Sequence, residues 1–238
     1  MSSAGPRVSH RIIITIDGPA GSGKSTVAHR LAERLGLEFL DTGAMYRAAA
    51  LLAIERGIDS EDGPNLAEAV RKAGLQFDWT ADPPRLLMKG RDVSRRIRDM
   101  DVSSIVSIVA ALSEVRAVLV GEQRRLADEH PRLVTEGRDQ GSVVFPDAPL
   151  RFFLDADAAV RAKRRIAQLA ELGTHVEEAL VINDIKERDR IDSTRADGPL
   201  TRPKGAIEID TSDLSIEQVV GRLESIARQK LASAEFKA

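Results

Sequence analysis

The sequence predicts an α/β fold built on a central five-stranded parallel sheet flanked by helices, with a small antiparallel insert. Three observations carry that prediction. Short apolar runs alternate with amphipathic segments along the 238 residues, the first run feeds a glycine-rich turn and a helix, and the stretch 66–102 breaks the alternation with a hairpin pattern.

The elements follow in chain order. Arg11-Ile12-Ile13-Ile14-Thr15-Ile16 is a β-branched run of the kind buried on both faces of a parallel sheet. A helix from about Lys24 to Leu35 comes next, with Gly36 at the position where a helix C′ residue belongs. Further strands are expected at Glu38–Leu40, Leu133–Thr135, Arg151–Leu154 and Ala206–Ile209. Leu75–Trp79 and Leu86–Lys89, separated by a loop containing Asp82-Pro83-Pro84, form the hairpin of the insert. Trp79 is read as a packing anchor for that small sheet, with base stacking as the alternative. The last helix starts at Ser215, where Ser215-Ile216-Glu217-Gln218 fits a capping box and Ile216, Val219, Val220, Leu223, Ile226 and Ala227 keep a 3.6 period.

Composition narrows the function. With 42% hydrophobic and 30% charged residues the chain can pack a core, and the absence of cysteine excludes disulfides, a thiolate nucleophile and cysteine-ligated metals. A net charge of -2 argues against a nucleic-acid surface or an anionic membrane. Within that balance 27 Arg outnumber 8 Lys, either from codon usage or because planar guanidinium forks are needed for phosphates. The run Ile12–Ile16 is too short for a signal-peptide core or a membrane span, so a cytoplasmic setting is expected. No unpaired amphipathic face stands out, so a monomer is expected, with the polar ends 1–10 and 232–238 disordered.

Gly18-Pro19-Ala20-Gly21-Ser22-Gly23-Lys24-Ser25 matches G-x-x-x-x-G-K-[ST] between a strand and a helix, which indicates a P-loop NTPase fold. The glycines let backbone N–H groups curl around a phosphate, Lys24 reaches the β- and γ-phosphates, and the Ser25 hydroxyl suits Mg²⁺. These eight residues and Thr26 form the candidate ATP site. A P-loop does not say what is done with the nucleotide. No Asn-Lys-x-Asp guanine-reading string is present.

Three further clusters look like an acceptor site. In Asp41-Thr42-Gly43-Ala44-Met45-Tyr46-Arg47, at the end of the second strand, Thr42 and Arg47 can face the P-loop crevice, although a plain N-cap and a surface arginine also fit. In Thr135-Glu136-Gly137-Arg138-Asp139-Gln140-Gly141, Arg138 can hold a phosphate and Asp139 can accept from an exocyclic amine, the ordinary alternative being an internal ion pair. In the run Lys186–Arg195, Arg188, Asp192 and Arg195 share one helical face, as a solvated ladder would or as a phosphate-binding lid would. Arg161, Lys163, Arg164 and Arg165 begin a partner helix, so 161–195 reads as a helical hairpin able to close.

Taken together these segments, with Val143-Val144-Phe145-Pro146-Asp147-Ala148, make the chain resemble bacterial-type cytidylate kinases, nucleoside monophosphate kinases of the P-loop class, from about residue 11 to 232. The resemblance implies one kinase domain over 11–238: a core of about 11–65, 103–160 and 196–232, a nucleoside-monophosphate-binding insert of about 66–102, and a lid of about 161–195. It implies ATP and CMP, with dCMP, as substrates, Mg²⁺ as cofactor, and no nucleic-acid or membrane partner. Lys24, Arg47, Arg138 and Arg188 would be the catalytic cations. Thr42, Arg47, Arg138, Arg188 and Asp192 would hold the acceptor's phosphate and ribose, with Ser107, Arg116, Asp139 and Arg195 around the cytosine. The chemistry agrees, since cytosine's N4 amine needs an acceptor such as Asp139 and its N3 and O2 need donors such as Arg116 and Ser107. Nothing local marks Ser107 or Arg116. Arg164 and Arg165 are the lid candidates on the ATP side, and Glu136 orients Mg²⁺ through water. Gln140 and Ser142 depart from the family pattern, standing where an apolar residue and Thr are expected. The rival readings are a kinase for another small acceptor, such as shikimate or gluconate, and a nucleotide-sensing switch.

Overall fold

A computed structural model describes residues 11–171 and 176–235. Strands β1 (Ile12–Asp17), β2 (Glu38–Asp41), β6 (Arg132–Gly137), β7 (Leu150–Asp155) and β8 (Ile207–Asp210) form one sheet in the order β2-β6-β1-β7-β8, every neighbouring pair parallel. The expected five-stranded parallel sheet is therefore present. β1 lies at its centre, and its residues from Ile13 on are buried as the continuous apolar run requires.

Helices α1 (Lys24–Leu35) and α8 (Ile216–Glu235) cover one face of the sheet, where Val27, Leu31, Val220 and Leu223 pack on Ile14, Ile16 and Phe152. On the other face α2 (Thr42–Arg56), α3 (Gly63–Arg71), α4 (Met100–Ala111) and α5 (Ser113–Glu129) share a second core with the insert. α1 ends at Gly36, whose φ of 62° lets its N–H reach the carbonyls of Ala32 and Glu33. α8 opens with the reciprocal box, Gln218 N to Ser215 Oγ at 3.2 Å and Ser215 N to Gln218 Oε1 at 2.9 Å. It runs on to Glu235, so 232–235 are helical rather than disordered, while 1–10 and 236–238 lie outside the described residues.

The insert is a three-stranded antiparallel sheet of β3 (Leu75–Asp78), β4 (Arg85–Met88) and β5 (Arg91–Asp92), one short strand more than the expected hairpin. The range 66–102 also takes in the end of α3 and the start of α4. Trp79 stacks on His130 with ring centroids 4.0 Å apart, which joins the tip of the insert to the core and fits the packing role. Helices α6 (Ala158–Glu171) and α7 (Glu178–Thr194) form the hairpin, held by a small core of Ala162, Val181 and Ile185, with 172–175 outside the described residues. No single described helix is long and apolar enough to cross a membrane.

Register does the rest. Asp17 pairs with Gly137 and Phe153, and Asp41 with Glu136, so the carboxyl ends of β1, β2 and β6 deliver the P-loop, the 138–139 turn and the start of α2 to one crevice.

Candidate active site

A cleft of about 300 Å³ opens at those strand ends, between the P-loop, α2, α4 and α7. The P-loop backbone needs its glycines: φ is 151° at Gly18, 79° at Gly21 and 86° at Gly23, and a Cβ on Gly18 would collide with the Leu154 carbonyl oxygen. Lys24 is buried and its Nζ donates to the Pro19 carbonyl at 2.6 Å. Burial pushes its ammonium down to about 7, and the nearby Arg138 guanidinium pushes the same way. Ser25 Oγ donates to Glu136 Oε1 at 2.7 Å, and burial together with Asp41 raises the Glu136 carboxyl.

Three guanidinium groups converge opposite Lys24. Arg47, from the second turn of α2, donates to Ser103 Oγ at 2.9 Å; burial lowers it to about 10, and Arg188 adds to the effect. Arg138, at the end of β6, donates from Nε to Asp192 Oδ2 at 2.7 Å. Burial alone would lower Arg138, but Asp192 and Glu136 raise it overall. Arg188 reaches in from α7, its nearest carboxylate being Asp184 at 3.8 Å and its Nε buried without a partner. Burial and Arg138 both lower it. Cations that depress one another at close quarters form a receptor for a multiply charged anion.

Beyond them the cleft ends in a buried polar cluster. Arg116 Nη2 pairs with Asp139 Oδ2, its Nη1 donates to the Tyr46 hydroxyl at 3.2 Å, and Arg195 Nη2 lies 3.8 Å from Asp139 Oδ1. Arg195 Nε donates to the Gly198 carbonyl at 2.7 Å, and Ser107 borders the same end. Asp17 fixes the turn that carries Asp139, accepting from the N–H groups of Gln140 and Gly141 at 2.7 Å each.

A family model described as cytidylate kinase matches residues 14–229. The chain belongs to the cytidylate kinase family. It is 47% identical over 216 residues to a cytidylate kinase of Caldanaerobacter subterraneus, covering 91% of this chain and 94% of that one. It is 43% identical to a cytidylate kinase of Rhodococcus jostii, covering 94% and 98%. Among solved structures, a gluconokinase from Sinorhizobium meliloti superposes with a TM-score of 0.50 at 14% identity, over 96% of this chain and 98% of that one, a likeness of fold alone.

In this cytidylate kinase family member the expected residues are distributed unevenly around the cleft. Thr26, Thr42, Arg47, Ser107, Arg138, Asp139, Arg165, Arg188, Asp192 and Arg195 border it. Thr42 is held by its hydroxyl, which donates to the Glu136 carbonyl at 2.6 Å, while Asp41 caps α2 by accepting from Ala44 N at 2.9 Å. Asp192 and Arg195 are buried, so the solvated-ladder reading of that face fails; the exposed ladder on α7 is Glu187 with Arg190. Arg116 stands behind Asp139, and Gly18, Pro19 and Ser22 shape the loop from within. Arg164, expected on the ATP side, spends its guanidinium on Thr211, whose hydroxyl donates to the Ser22 carbonyl at 3.3 Å, and so braces the P-loop from behind.

The sequence reading missed several participants. Arg98, at the end of the insert, borders the cleft and donates to Asp41 Oδ2 at 3.1 Å. Arg161, expected as part of the lid's first helix but not as its tie, joins the hairpin to the P-loop, with Nη1 on the Ala20 carbonyl at 3.0 Å and Nη2 on Asp189 Oδ2 at 2.6 Å. Tyr46 lay inside a string already singled out, and Gly198 carried no signal other than following Arg195.

Proposed function

We propose that the protein transfers the terminal phosphoryl group of ATP to CMP, giving ADP and CDP, and that it accepts dCMP as well. The observation that carries this is that Arg47, Arg138 and Arg188 line one cleft together with Ser107 and Asp139, the latter paired with Arg116. Family membership supports the same reading.

The acceptor's phosphate is largely a dianion at neutral pH, its second pKa being about 6, so no general base is needed and the work is alignment and charge neutralisation. Lys24 and the P-loop N–H groups take the β- and γ-phosphates, with Thr26 and Arg165 on the same side. Arg138, braced by Asp192, and Arg47, braced by Ser103, fix the acceptor phosphate; Arg188 arrives with α7 and completes the charge around the transferring group. Thr42 and Asp192 border the ribose and phosphate, while Asp139 accepts from the N4 amine and Arg116, Ser107 and Arg195 serve the remaining polar edge of cytosine.

Ser25 and Glu136 place a hydroxyl and a carboxylate oxygen 2.7 Å apart beside the P-loop, a hard oxygen pair that suits Mg²⁺, with Glu136 acting through water. Bound there, the ion would neutralise phosphate charge. The proposal includes the division into a core (11–65, 103–160, 196–232), an insert (66–102) that carries Arg98, and a lid (161–195), and a cytoplasmic monomer. Arg188→Ala, assayed for CDP formation at saturating ATP and CMP, should lose about 10³-fold in turnover, by comparison with arginine fingers. Near-normal turnover would remove Arg188 from the mechanism.

A further inference from the structure

Arg161 stands in the first turn of the lid, is buried, and does not line the cleft. A guanidinium in the interior is costly unless its donors are bonded, and here two carbonyls and a carboxylate take them. Nε donates to the carbonyl of Ala156, just after β7, at 2.9 Å. Nη1 is shared between the P-loop carbonyl of Ala20 at 3.0 Å and Asp189 Oδ1 at 3.1 Å, and Nη2 donates to Asp189 Oδ2 at 2.6 Å. The contact with Asp189 is thus bidentate, which fixes orientation as well as distance.

The two ends of this fork serve different substrates. The Ala20 carbonyl belongs to the trans peptide whose other side is the Gly21 N–H, so gripping the carbonyl sets the direction of that N–H in the loop that takes the donor's phosphates. Gly21 packs on the same residue, since a Cβ there would lie 3.2 Å from Arg161 Cβ. At the other end, Asp189 follows Arg188 on α7 and is turned about 100° from it, so Arg188 borders the cleft while Asp189 meets the base of α6. Arg188 has no comparable anchor of its own: its nearest carboxylate is Asp184 at 3.8 Å, and its Nε is unpartnered. Asp192, on the next turn of α7, is held separately by Arg138.

We infer that Arg161 and Asp189 are positioning residues, a strut that fixes the turn of α7 carrying Arg188 against the P-loop and so aligns that cation with the donor's terminal phosphate. This rests on the reading of Arg188 as the group that completes the charge around the transferring phosphoryl. Neither Arg161 nor Asp189 lines the cleft, and each acts through a neighbour that does, Ala20 and Gly21 on one side and Arg188 on the other. Lysine is no substitute for Arg161, because one ammonium on a flexible stem has no fork to span a carbonyl and a carboxylate at set angles.

The test uses the intact enzyme with ATP, Mg²⁺ and CMP, each substrate varied. Asp189→Asn keeps the size of the side chain but turns an amide toward the guanidinium and breaks the bidentate pair. It should lower kcat about tenfold, the size of one lost bond to a charged group, while the KM for CMP stays within about threefold because Arg47 and Arg138 keep their own anchors, Ser103 and Asp192. Arg161→Lys should lose as much in kcat and raise the KM for ATP besides, since it also releases Ala20. The deciding comparison is made in an Arg188→Ala background. If Asp189 acts through Arg188, Asp189→Asn costs less than about twofold there; a merely structural aspartate lowers kcat by the same factor in both backgrounds, and that result overturns the inference. An unchanged kcat in Asp189→Asn beside an impaired Arg188→Ala also overturns the strut and leaves the role of Arg188 standing. Near-normal turnover in Arg188→Ala instead removes the reading on which the strut rests. Should Asp189→Asn fail to fold, Arg161→Lys, which keeps the buried charge, is put through the same comparison. Should both fail, hydrogen exchange in the parent decides: the α7 amides at 185–190 should slow when a non-hydrolysable ATP analogue is added without CMP, and their indifference to it overturns the strut.

Discussion

Gly198→Ala adds one methyl group to a residue that does not line the cleft, and the structure gives its consequence in some detail. Gly198 follows α7 with φ at 57°, a conformation that costs an L-residue about 1 kcal/mol or more. A Cβ there would stand 2.8 Å from Arg116 Cζ, where 3.4 Å or more is ordinary, and would strike Arg116 Nη2 and Asp139 Oδ2 directly. Both side chains are buried, at 3% and 2% exposure, so neither can retreat into solvent. The pair must therefore open or the 196–198 turn must move, taking with it the carbonyl that holds Arg195. Separating a buried ion pair costs about 3–5 kcal/mol, and misplacing a contacting group by about 1 Å costs on the order of 10²-fold. The expected outcome is a rise of about 10²-fold in the KM for CMP with the KM for ATP nearly constant, since the P-loop is untouched. Steady-state kinetics with each substrate varied, beside a melting curve to count folded enzyme, reads this. A CMP KM within twofold of the parent would refute the placement of the Arg116–Asp139 pair in the base site.

Three other outcomes follow from the geometry. Arg161→Leu strips donors from the carbonyls of Ala156 and Ala20 and leaves the partly buried Asp189 unpaired, so denaturant unfolding should lose about 3 kcal/mol and turnover should fall at least about tenfold; unchanged turnover would detach the hairpin from catalysis. Burial holds Asp17 at about 7 against an ordinary 3.8, outweighing its two N–H donors, so the folded state binds that proton more tightly than the unfolded chain does. Stability should accordingly fall as pH rises from about 4 to 7 and level off above, and Asp17→Asn should lack that fall; parallel pH profiles for the two proteins would contradict the burial argument. Glu136→Gln should raise the Mg²⁺ concentration for half-maximal activity about tenfold, and an identical metal titration would exclude Glu136 from the ion's surroundings.

The sheet was legible because its strands are short apolar runs set off by turns and helical patterns: Ile12–Ile16 is β-branched and almost wholly buried, and Phe152–Leu154 lie where the pattern puts them although burial alternates along β7. β5 was not, since two exposed residues, Arg91 and Asp92, make a strand only by pairing with Leu87 and Met88. Within the site, the P-loop spacing is local and readable, whereas the fate of Arg188, Asp192 and Arg195 is not. Periodicity places the three on one face, but only Arg138, from a distant strand, shows that the face points inward. Arg164 and Arg165 are adjacent and so project about 100° apart on the helix, which sends one to Thr211 and the other to the cleft; no local feature tells them apart. Arg116 and Ser107 acquire their place only from the packing of α4 and α5 around Asp139. The arginine excess divides in the same way, between a few buried guanidinium groups at the cleft and many exposed partners of Glu and Asp such as Arg125 and Arg228.

The central claim, that this cleft phosphorylates a cytosine nucleotide, is met most directly by an acceptor panel. ADP release by the purified protein with ATP and Mg²⁺ is followed with CMP, dCMP, UMP, AMP and shikimate, each over a range that gives kcat/KM. The arrangement of Asp139, Arg116 and Ser107 predicts CMP first, dCMP close behind, and AMP and shikimate lower by at least about 10³-fold, because a site built to bond a base amine leaves its buried polar groups unpaired with other acceptors. Fastest turnover with AMP or shikimate, or tight ATP binding with no acceptor-dependent ADP release, would contradict it.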